Sequence, residues 1–396
     1  MKKWYQFLLL VPVLALLYLL PMLTAYRYQK APISYSMEEN RNLSVMPVLE
    51  KNALWSGEYF SDVESFFSDH VYGRNSLLRL NTRLQLLRRS PSVSNVLLTK
   101  QTLLPEFSID IAYLEPDQAA ANEMAERLAA IHRQVESYGG VFLYMSVPTM
   151  YSARLENYPS YAVSPETMTV EREAALTAQL SRLGVPYLAM RERYAAYGNM
   201  TDLYYKVDHH YSIRGAYACY LELCSYLEQE GVPVPVLTQE EISFEALPNP
   251  FQGTYSRKLY GLSPVTEALE VYRTERSVPY SRWDNGERTD APVQNIPDNS
   301  WQNVYYGCFM GGDQAETIVQ TNRPELPSIL IVGDSFTNAV ESLAYLSFDE
   351  MRSLDYRHYK GMSLPDYIAE YQPDVVLILR DDSVALTLEG NGNLIG

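Results

Sequence analysis

Basic residues are scarce in this chain. Its 396 residues include 32 lysines and arginines against 48 aspartates and glutamates, so the formal net charge at pH 7 is −16. Nucleic-acid binding depends on clustered lysines and arginines that neutralise phosphates, and no basic stripe stands out along the sequence. The composition therefore argues against a nucleic-acid partner.

Cysteine is also rare, with three residues, Cys219, Cys224 and Cys308, and no CxxC pair. This number and spacing exclude a disulfide framework. Cys219 and Cys224 are five residues apart on a predicted helix, where we expect small buried thiols.

Charged residues are absent from Trp4 to Tyr26, and the centre of this run, Phe7 to Leu23, is apolar. The run is about long enough to cross a bilayer, and Lys2 and Lys3 before it favour a cytoplasmic N-terminus. We therefore predict that residues 1–30 form an uncleaved signal anchor, with a cleaved signal peptide as the alternative. Either interpretation places the rest of the chain outside the cytoplasm, and the scarcity of cysteine then suits a bacterial protein.

The segment from Ser328 to Asn338 has the pattern around which the rest of the chain is organised. An apolar run, SILIV, is followed by Gly333, Asp334 and Ser335 and then by helical spacing. This pattern predicts a buried parallel strand that leads into a helix. Ser335 would lie at the carboxyl end of the strand and at a helix N-terminus, where developing negative charge is stabilised.

Further strand–helix–strand units predict an α/β fold with one parallel sheet. Between the anchor and these units, residues 31–95 predict a helical extension whose two helices break at Gly73 and lie against the domain surface. Residues 96–396 are expected to form the α/β domain, with hairpins and loops inserted at about 240–327. The predicted helices are Gln118–Tyr138, about Ser164–Leu183 and about Ser363–Tyr371, and the predicted strands are Val141–Thr149, Val185–Met190, Met351–Arg357 and Asp374–Leu379.

Two of the five histidines are adjacent, in the segment Asp208-His209-His210. Ser212 is a plausible N-cap for the following helix, so we expect the segment to be extended. Residues i and i+2 of an extended chain point to the same side, so Asp208 could orient His210 while His209 faces away. With Ser335, these residues would supply the carboxylate, the base and the nucleophile of a catalytic triad.

Two other interpretations of this segment remain open. Asp208 could cap or turn the loop while both histidines bond to backbone carbonyls. The three residues could also contribute metal ligands, as in a metal-dependent phosphoesterase, but no second cluster of matching ligands is evident in the sequence. We therefore assign no metal and no cofactor.

Several segments together resemble the DHHW family of bacterial proteins, which is related to the SGNH-hydrolase-like alginate O-acetyltransferases. In chain order they are ENRNLSVMP, DHHYSIRGAY, FQGTYSRKLYG, YYGCFMGGD and VGDSFTNAV. The family's name motif is DHHY here, with Tyr211 in the tryptophan position. The resemblance implies an SGNH-hydrolase-like, flavodoxin-like parallel sheet flanked by helices.

The resemblance also implies roles for individual residues. The Asp-x-His pair of the acetyltransferases corresponds to Asp208 and His210, and their serine corresponds to Ser335. The candidate oxyanion donors are the Ser335 N–H group and Asn338, because such donors stabilise the charge that develops during acyl transfer. Further oxyanion or substrate candidates are Gly311, Gly312, His209 and Tyr211. Arg214 and Arg380 could bind an anionic sugar, but as isolated arginines they are expected to form structural salt bridges.

These features predict serine-dependent acyl transfer, in particular acetyl transfer, to or from a cell-surface polysaccharide outside the cytoplasm. By analogy, a membrane-bound O-acyltransferase could supply the acetyl group. The alternative is a non-catalytic glycan-binding or scaffold component of an envelope assembly. A short distance between Ser335 Oγ and a ring nitrogen of His210 would favour the enzyme.

Overall fold

A computed structural model describes residues 10–39, 41–110 and 115–395 of the chain. Lys2, Lys3 and the beginning of the predicted apolar segment lie outside these residues. The chain divides into two compact units. The first comprises Met1–Leu98 with Thr254–Pro264, and the second comprises Thr99–Gly253 with Val265–Gly396.

The first unit is mainly helical. Its longest helix is long and apolar enough to cross a membrane, as the sequence predicts. The helices are α1 (Leu10–Lys30), α2 (Lys51–Ser56), α3 (Glu58–His70) and α4 (Arg74–Leu87), with a short helical turn at Thr254–Arg257. The strands are β1 (Tyr35–Ser36), β2 (Arg41–Asn42), β3 (Ser92–Val93) and β4 (Val96–Leu98), and β1 pairs with β2 and β3 with β4 in antiparallel hairpins.

The predicted break between α3 and α4 is confirmed, because Gly73 adopts a left-handed conformation with φ of 76° immediately before α4. Most of the apolar side chains of these two helices are exposed. Phe66 is buried against the rings of Tyr28 and His70. The exposed members are Phe60, Phe67, Leu77, Leu80, Leu84 and Leu87.

The second unit contains the main sheet. Its helices are α5 (Gln118–Ser137), α6 (Arg172–Leu183), α7 (Ile213–Gln229), α8 (Ser335–Ala344) and α9 (Leu364–Tyr371), with a short helix at Met190–Arg193. Its first strands are β5 (Leu103–Pro105), β6 (Val141–Val147), β7 (Tyr187–Ala189), β8 (Ile242–Ala246) and β9 (Glu270–Thr274). The others are β10 (Ser281–Asp284), β11 (Glu287–Thr289), β12 (Glu316–Gln320), β13 (Ile329–Gly333), β14 (Glu350–Leu354) and β15 (Val375–Asp381).

Eight of these strands form one sheet in the order β11-β10-β12-β14-β13-β15-β6-β7. The five strands from β14 to β7 are parallel, which confirms the predicted parallel sheet. Counted from β13 as the first strand, their order is 2-1-3-4-5, the flavodoxin-like doubly wound order. The chain runs through the fourth and fifth strands before it reaches the first, so the order of elements is circularly permuted.

The region predicted as an insertion, about 240–327, contributes to the sheet directly. Strands β10, β11 and β12 extend it as an antiparallel edge, and β12 pairs with β14. Strands β8 and β9 form a separate antiparallel hairpin. The insertion is therefore partly an extension of the main sheet.

Helices cover both faces of the parallel strands. On one face, Leu330 and Val332 of β13 belong to a buried cluster that includes residues of α5, α6 and α9. Their neighbours Ile329 and Ile331 are also buried and point to the opposite face, because side chains alternate along a strand. Helix α8 packs against β13, β15 and α7. Because both faces of β13 are buried, its side chains form a continuous apolar run before Ser335.

Gly333, which links β13 to the serine, has no space for a side chain. A Cβ atom there would lie 2.4 Å from the carbonyl oxygen of Leu379 and 2.4 Å from Cγ2 of Thr337. Only glycine lets β13 approach β15 this closely at the point where the chain turns into α8.

We expect Gly333→Ala to lower the free energy of unfolding by about 1–3 kcal/mol, the usual cost of overpacking a core. Urea unfolding monitored by circular dichroism measures this change. Gly307→Ala is the matched control, because its Cβ atom would meet Cα of Gly312 at an ordinary 3.5 Å. Equal losses of stability in the two variants would contradict the steric explanation.

Candidate active site

Ser335 is the first residue of helix α8 and is partly buried at the carboxyl end of β13. Asp334 caps the helix, and its Oδ1 accepts the backbone N–H group of Phe336 at 3.0 Å. Among the hydrogen bonds of the described residues, none uses the Ser335 N–H group. The serine therefore sits beside a free backbone donor at a helix N-terminus.

The loop that carries Asp208 and His210 is bent and not extended as predicted. Tyr204 and Tyr211 form an antiparallel bridge at its base, and the residues between them follow a curved path. At its tip, Asp208 Oδ1 accepts the backbone N–H group of His210 at 3.1 Å. An aspartate that bonds to a backbone N–H group two residues further on stabilises a turn, so the carboxylate itself shapes the loop.

Ser335, His210 and Asp208 form a continuous chain of hydrogen bonds. Nδ1 of His210 lies 2.6 Å from Asp208 Oδ1, and Nε2 lies 2.7 Å from Ser335 Oγ. An ionised carboxylate only accepts, so it fixes the proton on Nδ1 and leaves Nε2 free to accept the serine O–H. Asp208 and His210 are buried. This is the geometry of an activated serine nucleophile.

Aromatic rings enclose the His210 imidazole. The ring of Tyr306 is stacked on it with the centroids 3.8 Å apart and the planes within 3° of parallel. The ring of His209 lies 3.7 Å away, and that of Phe336 lies 4.8 Å away. The expectation that His209 faces away is wrong, because the bend of the loop brings it against His210 and places its Nδ1 3.6 Å from Asp208 Oδ1.

The sequence does not identify Tyr306 as a site residue, although it lies in the YYGCFMGGD segment. Its ring is buried, and burial raises the pKa of its hydroxyl well above the usual value. The hydroxyl oxygen has no hydrogen-bond partner among the described residues. The contribution of Tyr306 to the site is therefore its stacked ring.

Tyr211 packs against the first turn of helix α8, which begins with Ser335. Its side chain is fully buried, its ring packs edge-on against Phe336 at 5.2 Å, and its hydroxyl donates to the carbonyl oxygen of Phe336. The side chain contacts the residue after the nucleophile and does not reach solvent.

Asn338, predicted as an oxyanion donor, belongs to a polar network beside the serine. Its Nδ2 donates to Asp313 Oδ1 at 2.9 Å, and Arg357 Nη2 donates to the other oxygen of Asp313 at 2.7 Å. Arg357 also pairs with Asp355, which accepts from Asn391 Nδ2 at 2.9 Å. Nδ2 of Asn391 also donates to the carbonyl oxygen of Gly333 at 2.8 Å. The network therefore reaches the backbone just before Ser335.

Gly311 and Gly312 both have left-handed backbones, with φ of 77° and 90°. Gly312 lines a small cavity together with Asp334 and Asn338. Gly312 thus lies close to the serine helix, and a tight turn accounts for the conformation of the glycine pair.

Acids line the carboxyl edge of the sheet around the triad; Asp381 and Asp382 are buried and Asp334 is partly buried. Burial raises the pKa of Asp334, and the charge of Asp381 raises it further. Burial likewise raises the pKa of Asp381. Burial raises the pKa of Asp382 to about 6, even though Arg191 pairs with it at 2.8 Å. Asp382 also accepts the N–H group of Thr149, which fixes the loop after β6.

Two residues that the sequence analysis did not identify hold the loop before Asp208. Glu267 accepts the backbone N–H groups of Lys206 and Val207 at 2.5 and 2.8 Å, and burial raises the pKa of this carboxyl to about 7. Gly253 leaves no room for a side chain, because a Cβ atom would lie 2.4 Å from the Val207 carbonyl oxygen. Gly253 lies in the FQG segment noted above, whereas no sequence pattern marks Glu267.

The described residues contain two groups with metal-ligand spacing. The first, Asp208 with His209 and His210, would bind an ion only at the expense of the triad, since both ring nitrogens of His210 are engaged. The second is Asp313 with Asp355 and His358, and the Arg357 guanidinium already pairs with both carboxylates. Neither arrangement favours a metal.

Arg214 and Arg380 both have structural contacts. Arg214 pairs with Glu270 at 2.9 Å, as expected. Arg380 is buried and donates to the carbonyl oxygens of Val384 and Thr387 and to Sδ of Met124. No carboxylate of the described residues forms the expected salt bridge with it.

Comparison with known proteins agrees with this architecture. Residues 107–287 match the family model described as the SGNH hydrolase-like domain of the acetyltransferase AlgX. The chain contains an SGNH hydrolase-like domain. The predicted resemblance and fold class are thereby confirmed, and the match covers most of the second unit up to β11. No curated protein sequence matches the chain.

Two solved structures show the same fold over most of this chain. PatB1 from Bacillus cereus, solved with a sulfonyl adduct, is 18% identical with a TM-score of 0.61, and the match covers 73% of this chain and 97% of PatB1. A DHHW family protein from Eubacterium siraeum is 20% identical with a TM-score of 0.55, over 74% of this chain and 93% of that protein.

The triad geometry predicts that Ser335 reacts with a sulfonyl fluoride, because His210 can take the serine proton. Ser335→Ala should abolish labelling, and His210→Ala should slow it by about 10²–10⁴-fold, the usual contribution of a general base. Intact-mass spectrometry against time measures the rate. Ser137→Ala and His132→Ala, on helix α5, are matched controls, and unchanged labelling in the Ser335 variant would contradict the assignment.

The stacked ring predicts a difference between two variants of Tyr306. Tyr306→Phe should label at nearly the wild-type rate, because the hydroxyl has no partner to lose. Tyr306→Leu should label about 2- to 30-fold more slowly, since a ring face stabilises the imidazolium by about 0.5–2 kcal/mol. Thermal unfolding of both variants separates this effect from a loss of stability, and equal labelling rates would refute it.

Proposed function

We propose that this protein carries out serine-dependent transfer of acyl groups, in particular acetyl, to or from a cell-surface polysaccharide outside the cytoplasm. The observation that carries the proposal is the unbroken hydrogen-bond chain from Asp208 through His210 to Ser335. The AlgX family model, whose description names an acetyltransferase, supports the acetyl group as the group transferred.

In the proposed mechanism, Ser335 Oγ attacks the carbonyl carbon of the acetyl donor while His210 Nε2 takes the serine proton. Asp208 holds the imidazole in the required tautomer and stabilises the positive charge that forms. The leaving group takes the proton from His210 as the acyl-enzyme forms. A polysaccharide hydroxyl or water then attacks the acyl-enzyme, with His210 as the base, and Ser335 is regenerated.

The proposed oxyanion donors are the Ser335 N–H group and the side-chain amide of Asn338. The Ser335 N–H group lies at the N-terminus of α8, where the helix dipole adds to the stabilisation of negative charge. Asn338 donates through Nδ2 to Asp313, which fixes the orientation of its amide.

We further propose that helix α1 anchors the protein in the membrane with its second unit outside the cytoplasm. The supporting observation is the length and apolar character of this helix. In this arrangement a membrane-bound O-acyltransferase could deliver acetyl groups to Ser335. The proposed domain boundaries are an anchor at 1–30, a helical extension at 31–95 and the SGNH hydrolase-like domain at 96–396.

The alternative is a non-catalytic glycan-binding or scaffold protein. The 2.7 Å distance between Ser335 Oγ and His210 Nε2 supports the enzyme, because a scaffold requires no assembled triad. A glycan-binding role would leave binding intact in a Ser335→Ala variant, whereas the enzyme would lose turnover.

The proposal predicts an acetyl adduct on Ser335 after incubation of the full-length protein with p-nitrophenyl acetate. Intact-mass spectrometry should detect the adduct in the wild type, and both adduct and ester turnover should be lost in Ser335→Ala and His210→Ala. Turnover that persists in the Ser335 variant would refute the mechanism. Addition of an envelope oligosaccharide then separates a transferase, which acetylates it, from an esterase, which releases acetate.

A further inference from the structure

Helix α4 carries an exposed stripe of leucines that we call the leucine face: Leu77, Leu80, Leu84 and Leu87. Spacings of three and four residues place the four side chains on one side of a helix. Their exposed fractions are 55%, 53%, 46% and 73%. Thr82 on the opposite side is buried at 1%, so α4 packs through that side and leaves the leucines uncovered.

The same helix and its C-terminal end are basic in a strongly acidic protein. Residues 74–89 contain five arginines and no acidic residue, although the whole chain has a net charge of −16. The expectation that no basic stripe stands out along the sequence is therefore wrong for this helix. Arg74 pairs with Glu39, whereas Arg79, Arg83, Arg88 and Arg89 are exposed and form no ion pair with the described residues.

A leucine stripe beside unpaired arginines fits the surface of an anionic membrane. Helices of this kind lie in the interface, with the apolar side chains at the acyl boundary and the cations among lipid phosphates. The first unit also contains α1, the helix that is able to cross a membrane. A second copy is a poorer occupant, because pairing two leucine faces would bring the two sets of arginines together.

We propose that α4 is an interfacial membrane helix, which inserts its leucine face into the outer boundary of the bilayer and binds anionic phospholipid headgroups through Arg79, Arg83, Arg88 and Arg89. This contact holds the first unit flat against the membrane. It is independent of the proposed acyl transfer, and it adds a lipid-specific contact to the anchor.

The test uses the full-length protein in vesicles with a single introduced cysteine that carries an environment-sensitive fluorophore. The native cysteines are buried, so the label goes to the introduced residue. Leu84→Cys reports on the leucine face, Tyr18→Cys reports on α1, and Ser137→Cys on α5 is the exposed control. Each protein is reconstituted with phosphatidylcholine alone or with added phosphatidylglycerol, with and without lipids brominated along the acyl chains.

Bromine quenching of the label at position 84 in vesicles that contain phosphatidylglycerol, with none at position 137, is the expected result. Replacing Arg79, Arg83, Arg88 and Arg89 by glutamine should abolish the quenching at position 84 and leave that at position 18 unchanged. Quenching at position 18 with none at position 84 overturns the proposal and leaves the anchor intact. A blue shift at position 84 that depends on protein concentration, without bromine quenching, assigns the face to a second copy and also overturns it.

Discussion

The hydrogen bond between Ser335 and His210 is the contact on which the rest of the site depends. It joins residues 125 positions apart, so neither local segment can form it alone. The serine is placed by the end of β13 and by the Asp334 cap, and the histidine by the turn that Asp208 closes. Each side is thus held by a local hydrogen bond of its own, in addition to the bond between Ser335 and His210.

The permuted order of strands explains why the acid and base precede the nucleophile in the chain. The loop of Asp208 and His210 follows β7 at the far side of the parallel sheet, and helix α7 leads back across the face on which α8 lies. Ser335 follows β13. From β13 the chain continues to β14 on one side and then crosses over to β15 on the other side, so the direction of the connections reverses at β13. Doubly wound sheets bind ligands at such a switch point. The triad is therefore set by sheet geometry and not by chain order.

The sequence predicts those parts of the protein that depend on local pattern. Periodicity identifies β6, β13, α5 and α9 nearly to the residue, and the DHH and GDS segments identify the triad residues. The bend at Asp208, the stack of Tyr306 on His210 and the bond of Asn338 to Asp313 could not be foreseen, because each depends on partners brought together by tertiary packing. The exposure of the α4 leucines could not be predicted for a related reason. Helical spacing shows that a face is apolar but not what covers it.

The surroundings of His210 affect the energy barrier of the proposed reaction. The imidazole is buried between aromatic rings, where the effective dielectric constant is low and a charge is costly. The proposed mechanism begins with a neutral imidazole, because Nε2 must accept the serine proton, and with an ionised Asp208 carboxylate. Proton transfer from Ser335 creates an imidazolium 2.6 Å from that carboxylate, so the attraction between them arises as the reaction proceeds. An interaction that is stronger in the transition state than before the reaction lowers the barrier, and the burial of both groups strengthens this attraction.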